Sequence, residues 1–143
     1  MVYLDTSFVV PWLLPEPASA KVEEVLTALA PGSSAISLWT KLEFASVVAR
    51  RVRTGEATAP NARAAIDLLD ELLKMSLESI EPVSADFTLA SQLVVDSGWT
   101  LRGPDALHLA IARNHRAEVF LTLDEPLLKS AVRLGIPASK GIA

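Results

Sequence analysis

Short β-prone apolar runs recur along this chain, and each gives way to a segment with helical periodicity. The runs are Val2–Leu4, Ser34–Ser37, Leu77–Val83 and Val119–Thr122. Strands joined through helices instead of tight turns pair in parallel, and a parallel sheet needs both faces covered. The alternation therefore predicts an α/β/α sandwich with a mainly parallel central sheet. At 143 residues, without repeat, low-complexity tract or linker, the chain reads as one domain spanning 1–143.

The predicted helices follow from spacing and punctuation. Glu16–Leu29 is two-sided and stops at Pro31 and Gly32. In Leu38–Arg53, the residues Leu38, Leu42, Ala45, Ala49 and Val52 recur at three and four, which marks them as the buried face. A further helix starts near Thr58 with Pro60 in its first turn and buries Ile66, Leu69, Leu72 and Leu73. Ser84 is the expected cap of the next, which stops at Gly98. Helices at Asp105–His115 and Asp124–Leu134 complete the set, and Pro137 argues against a long final strand.

Several chemistries are excluded at once. The chain has no Cys, which removes disulfides, thiolate metal sites and a cysteine nucleophile. The apolar stretch Phe8–Leu14 is broken by Pro11 and has no cationic start, so it is neither signal peptide nor membrane span, which needs about 20 apolar residues. A cytoplasmic protein with no membrane association is the expectation. No Gly-rich phosphate loop followed by Lys and Ser or Thr is present.

What remains is the placement of acids. Asp5 ends the first run, Glu43 lies early in the helix after the second, Asp105 opens a helix, and Asp124 follows the run Val119–Thr122. Ligand sites of parallel α/β sheets gather at the carboxyl ends of strands, so these four acids can converge. Carboxylates held together repel unless protons or cations offset them, and an all-oxygen set favours Mg²⁺ or Mn²⁺. Such ions activate water and stabilise the oxygens of a phosphodiester, which points to a metal-dependent nuclease. Each acid also has a plainer account: Asp5, Asp105 and Asp124 suit helix N-termini, and Glu43 suits a solvated helix flank. Two other classes stay open. A receiver-like Mg²⁺-binding signalling domain fits the alternation but favours a second acid beside Asp5; a noncatalytic α/β interaction module would use the acids as caps. A haloacid-dehalogenase-like phosphatase needs an acid where Ser7 stands.

The segments VYLDTS (2–7), SLWTKLEFAS (37–46), PDALHLAIA (104–112) and FLTLDEPLLKSA (120–131) resemble the ordered acidic motifs of PIN-domain ribonucleases. The likeness spans essentially the whole chain and is strongest to the stand-alone bacterial PIN toxins of the VapC type. It implies a Mg²⁺- or Mn²⁺-dependent endoribonuclease with Asp5, Glu43, Asp105 and Asp124 as catalytic and metal-binding quartet. Thr6, Ser7 and Thr122 match supporting hydroxyls that would hydrogen-bond to carboxylates or metal-bound water. It further implies RNA as substrate, 3′-hydroxyl and 5′-phosphate products, a cognate antitoxin and a homodimer. Arg102-Gly103-Pro104 departs from the loop of many relatives.

Other residues carry weaker signals. His108 lies one turn after Asp105 and reads as a supporting or packed histidine, not a general base; His115, beside Arg113 and Arg116, reads as solvent-facing. Segment 41–63 has five Lys and Arg against two Glu, whereas 64–100 has one Lys against seven acids. Arg50 and Arg51 form the densest positive patch and are the expected RNA-phosphate contacts. Trp12, Trp39 and Trp99 suit packing or interface more than base stacking. Pro11 and Pro15 predict a helix after Asp5 too short to bury its apolar groups, so Phe8, Trp12, Leu13 and Leu14 are expected to line an antitoxin-binding groove beside the helix Glu16–Leu29.

Overall fold

The computed structural model describes residues 1–143. In chain order the elements are β1 (Val2–Leu4), α1 (Thr6–Leu13), α2 (Ser19–Ala28), β2 (Ser34–Ser37), α3 (Leu38–Arg53), α4 (Ala59–Met75), β3 (Leu77–Ile80), α5 (Ser84–Asp96), α6 (Gly103–Asn114), β4 (Val119–Leu121), α7 (Glu125–Arg133) and β5 (Ala138–Ser139). The strands form one sheet in the order β3-β2-β1-β4-β5, with every neighbouring pair parallel. From β1 the chain moves outward to β2 and β3, then returns to the other flank of β1 as β4. The crevice beyond the carboxyl ends of β1 and β4 is thus the topological switch point, where such sheets hold ligands.

Alternation along the strands sorts the core into two halves. Val2, Leu4, Ile36 and Leu121 face a cluster built with Phe8 and Val9 of α1, Val22 of α2, Phe44 and Val48 of α3 and Leu69 of α4. Tyr3, Ala35 and Phe120 face the opposite cluster, formed with Leu93 of α5, Leu109 and Ile111 of α6 and Leu127 and Ala131 of α7. Three layers result, α1–α4 over the sheet over α5–α7. Seven consecutive residues of α6, Ala106 to Ala112, are buried, so this helix has no solvated stripe at its centre.

Local chemistry sets the boundaries. Ser37 ends β2 and caps α3, its hydroxyl accepting from the Thr40 amide at 3.2 Å while Thr40 Oγ1 accepts from the Ser37 amide at 3.2 Å. Thr58 caps α4, with Pro60 in the first turn. β5 has two residues and pairs with β4 despite Pro137 before it.

Four sequence expectations change. β3 stops at Ile80 because the chain turns toward Pro82, short of Val83. Ser84 is the first helical residue of α5 and not its cap; the Asp86 carboxylate reaches back to the Val83 amide at 2.9 Å. The period of α3 is right but its phase is rotated: Thr40, Phe44 and Val48 are buried, whereas Leu38 and Leu42 are 45% and 58% exposed. α1 is the short helix that Pro11 and Pro15 predict, with Pro11 inside it giving up the amide that would have bonded the Ser7 carbonyl, but it buries more than expected. Phe8 is fully buried and Leu14 nearly so, both within the core rather than lining a groove. Trp12 and Leu13 are half-buried against the same cluster.

Candidate active site

The switch-point crevice is a cleft of about 750 Å³, and Asp5, Glu43, Asp105 and Asp124 all line it. Asp5 follows β1 and caps α1, accepting from the Ser7 amide at 3.3 Å. Asp124 follows β4 and caps α7 by accepting from the Leu127 amide at 2.8 Å. Asp105 sits in the first turn of α6, behind Pro104. Three of the four acids therefore occupy helix amino termini, where backbone amides and the helix dipole favour negative charge. The capping account and the converging-site account describe the same side chains.

Hydroxyls fix the carboxylates on the protein side. Ser7 Oγ and Thr122 Oγ1 donate to Asp5 Oδ2 at 2.5 and 2.8 Å. Thr122 Oγ1 in turn accepts from the Asp124 amide at 3.0 Å, and Ser7 Oγ from the Leu123 amide at 2.9 Å. These bonds lock the β4–α7 turn to α1. Thr6 Oγ1 donates to Glu43 Oε2 at 2.6 Å, tying α1 to α3.

The charge balance of the cleft is unfinished. Burial, then the carboxylates of Asp124 and Asp5, push the Asp105 carboxyl up to about 6. Glu43 moves the other way: burial works to raise it, but the hydrogen bond and charge of His108 and the Thr6 hydroxyl outweigh that and hold it below the usual range. Crowded oxygen donors, one of them driven toward its neutral form, are the environment that a hard divalent cation relieves.

His108 belongs to this cleft. It is almost completely buried, with Nε2 at 2.5 Å from Glu43 Oε2 and 3.5 Å from Asp5 Oδ1, and ligand atoms of Asp5, Glu43 and His108 lie within 4.8 Å of one another. The spacing of Asp105 and His108, one helical turn, was the available sequence signal. Trp39 forms part of the rim, its indole donating to the Pro104 carbonyl at 3.2 Å, so it steadies the first turn of α6 beside Asp105.

The basic flank is smaller than the sequence suggests. Arg50 and Arg51 both line the cleft, but Arg51 is ion-paired with Glu16 on the same wall. Arg50 remains exposed. His115 is not solvent-facing as expected: it is half-buried and contacts Asp86 at 3.3 Å.

A family model described as "PIN domain" matches residues 2–132. The chain is 34% identical over 146 residues to Ribonuclease VapC47 of Mycobacterium tuberculosis (strain CDC 1551 / Oshkosh), covering 99% of this chain and 98% of that protein. It belongs to the PIN-domain family, in its VapC-type ribonuclease branch. Among solved structures, Mycobacterium tuberculosis VapC20, described as a sarcin-ricin loop cleaving toxin, superimposes with a TM-score of 0.72 at 16% identity over 89% of this chain and 92% of that one. A toxin-antitoxin complex from Klebsiella pneumoniae gives 0.69 at 21% identity over 99% and 98%. These two share the fold. The family assignment removes the receiver-like and noncatalytic alternatives.

Proposed function

We propose that this protein is the toxin of a toxin–antitoxin pair, an endoribonuclease that hydrolyses RNA phosphodiesters with Mg²⁺ or Mn²⁺ held by Asp5, Glu43, Asp105 and Asp124. The observation that carries it is the gathering of these four acids in one cleft at the switch point. When bound there, a divalent cation lowers the pKa of the attacking water and offsets charge on the phosphodiester oxygens. Ser7, Thr122 and Thr6 orient the Asp5 and Glu43 carboxylates, and Asp105 and Asp124 complete the oxygen set from two helix N-termini. The products would carry 3′-hydroxyl and 5′-phosphate ends. Excess EDTA should lower cleavage of a cellular RNA pool by at least about 100-fold, with Mg²⁺ or Mn²⁺ restoring it, as expected when a cation supplies several kcal/mol of charge stabilisation. Cleavage that continues undiminished in chelator would overturn the reading.

Arg50 is the favoured RNA-phosphate contact, since Arg51 is engaged by Glu16. Arg50→Glu should weaken RNA binding across sequences and reduce the slope of log affinity against log salt by about 1, measured by fluorescence anisotropy. An unchanged slope would assign Arg50 to solubility.

The likeness to a toxin–antitoxin complex supports an antitoxin partner. With Phe8 and Leu14 in the core, Trp12 and Leu13 beside α2 are the remaining candidates for its contact. The reading also includes a homodimer, for which the exposed Leu38, Leu42 and Phe87 offer apolar surface, and action in the cytoplasm. No helix is long and apolar enough to cross a membrane.

A further inference from the structure

One oxygen of each of two acids is already spent. Asp5 Oδ2 accepts from Ser7 and Thr122, and Glu43 Oε2 accepts from Thr6 at 2.6 Å and faces His108 Nε2 at 2.5 Å. Asp5 Oδ1 and Glu43 Oε1 are left to meet a ligand.

The His108 ring is set by what lies behind it. Its Nδ1 is 2.9 Å from the Tyr3 hydroxyl, which is 2.8 Å from Ser37 Oγ. The Glu43 carboxylate can only accept, so Nε2 carries the proton that bonds it. In the neutral ring Nδ1 then accepts the Tyr3 hydrogen, and the Tyr3 oxygen is left to accept from Ser37. Each hydrogen in the series Ser37, Tyr3, His108, Glu43 has one acceptor, and no buried side-chain polar atom is left without a partner. With Nδ1 and Nε2 both engaged, the imidazole has no lone pair facing the cleft.

We propose that His108 is a positioning residue, not a metal ligand: it pins Glu43 through Oε2 so that Oε1 is presented to a divalent cation, and Tyr3 fixes the ring tautomer that makes this possible. The inference rests on the reading of the cleft as a cation site. Partners that orient a metal's ligands from behind commonly contribute 10–100-fold to metal affinity.

Mn²⁺ binding to the RNA-free full chain, followed by calorimetry and pulsed electron paramagnetic resonance, tests it. His108→Leu should lower Mn²⁺ affinity by about 10–100-fold, and His108→Gln, whose amide places a donor near the position of Nε2, should recover most of the loss. Tyr3→Phe should lower affinity by about 10-fold with native circular dichroism, which keeps the test decisive if His108→Leu does not fold. Wild-type affinity in Tyr3→Phe, or in a folded His108→Leu, would overturn the proposal. Directly coordinated nitrogen in the wild-type Mn²⁺ spectrum would overturn it as well, by making His108 a ligand. Absence of Mn²⁺ binding by the wild-type chain would overturn the cation reading and this inference together, a result distinct from insensitivity of the variants.

Discussion

Asp5→Asn is expected to cleave RNA at less than about one-thousandth of the wild-type rate, a loss of roughly 4 kcal/mol in transition-state stabilisation, while the protein stays folded. The two halves of this expectation have separate physical origins. Catalysis fails because, with its carbonyl oxygen held by Ser7 and Thr122, the amide turns an NH2 group and no negative charge toward the cation. Folding survives because Asn caps a helix about as well as Asp, and its carbonyl oxygen can still accept from Ser7 and Thr122. Removing the charge also relieves one of the carboxylates that push Asp105 upward, so that the Asp105 value should fall from about 6. Stopped RNA-cleavage assays beside thermal melts decide it. Residual activity above about one-tenth, equivalent to a loss of no more than about 1.4 kcal/mol, would remove Asp5 from the metal site.

Asp86→Ala should produce the largest loss of stability outside the cleft. This fully buried carboxylate accepts from the Val83 amide, from Asn114 Nδ2 at 2.8 Å and from His115 Nε2 at 3.3 Å, joining the start of α5 to the end of α6. Charge-assisted hydrogen bonds contribute about 1.5–3 kcal/mol and a helix cap about 1, so a loss near 3 kcal/mol and a Tm lower by roughly 10 °C are expected. Burial works to raise the Asp86 carboxyl, but the Val83, Asn114 and His115 bonds prevail and hold it below its ordinary value. A carboxyl depressed in the folded state stabilises fully above its unfolded pKa of about 3.9 and loses that contribution as pH falls through the lower folded value. The gap between wild type and Asp86→Ala should therefore be full near neutrality and close only in acid. A Tm within about 1 °C of wild type at pH 7 would assign the α5–α6 contact to its apolar residues alone.

The architecture was legible because its signals are local. Strand and helix alternate with clear punctuation, and β2 and α3 fall where the run Ser34–Ser37 and the apolar spacing after it place them. Asp5 and Asp124 were legible because they follow strands, and Asp105 because it opens a helix behind Pro104, positions that chain order exposes without knowledge of packing. Phase was harder. Leu38 and Leu42 outrank Thr40 in hydrophobicity, yet Thr40 is the residue turned inward, where its hydroxyl meets the Ser37 cap and lies 3.3 Å from Tyr3. A polar side chain satisfied within a core is invisible to a count of apolar positions. His108 was legible as a supporting or packed histidine from its place one turn after Asp105, and it is buried; its partners Glu43 and Tyr3, distant in the chain, carry no such local signal. α1 is short, as Pro11 and Pro15 predict, yet Phe8 and Leu14 are buried all the same, because α2, α3 and α4 pack over it.

The bond from Thr122 to Asp5 links positions 117 residues apart, and β4 is the strand that completes the pairing of β1 on its second flank. Everything from β1 to α5 supplies only Asp5 and Glu43 to the cleft; Asp105, the Thr122 anchor and Asp124 lie beyond it in the chain. The four acids therefore come together only once β4 is laid against β1, which makes the cleft a property of the closed sheet and not of any contiguous stretch of sequence.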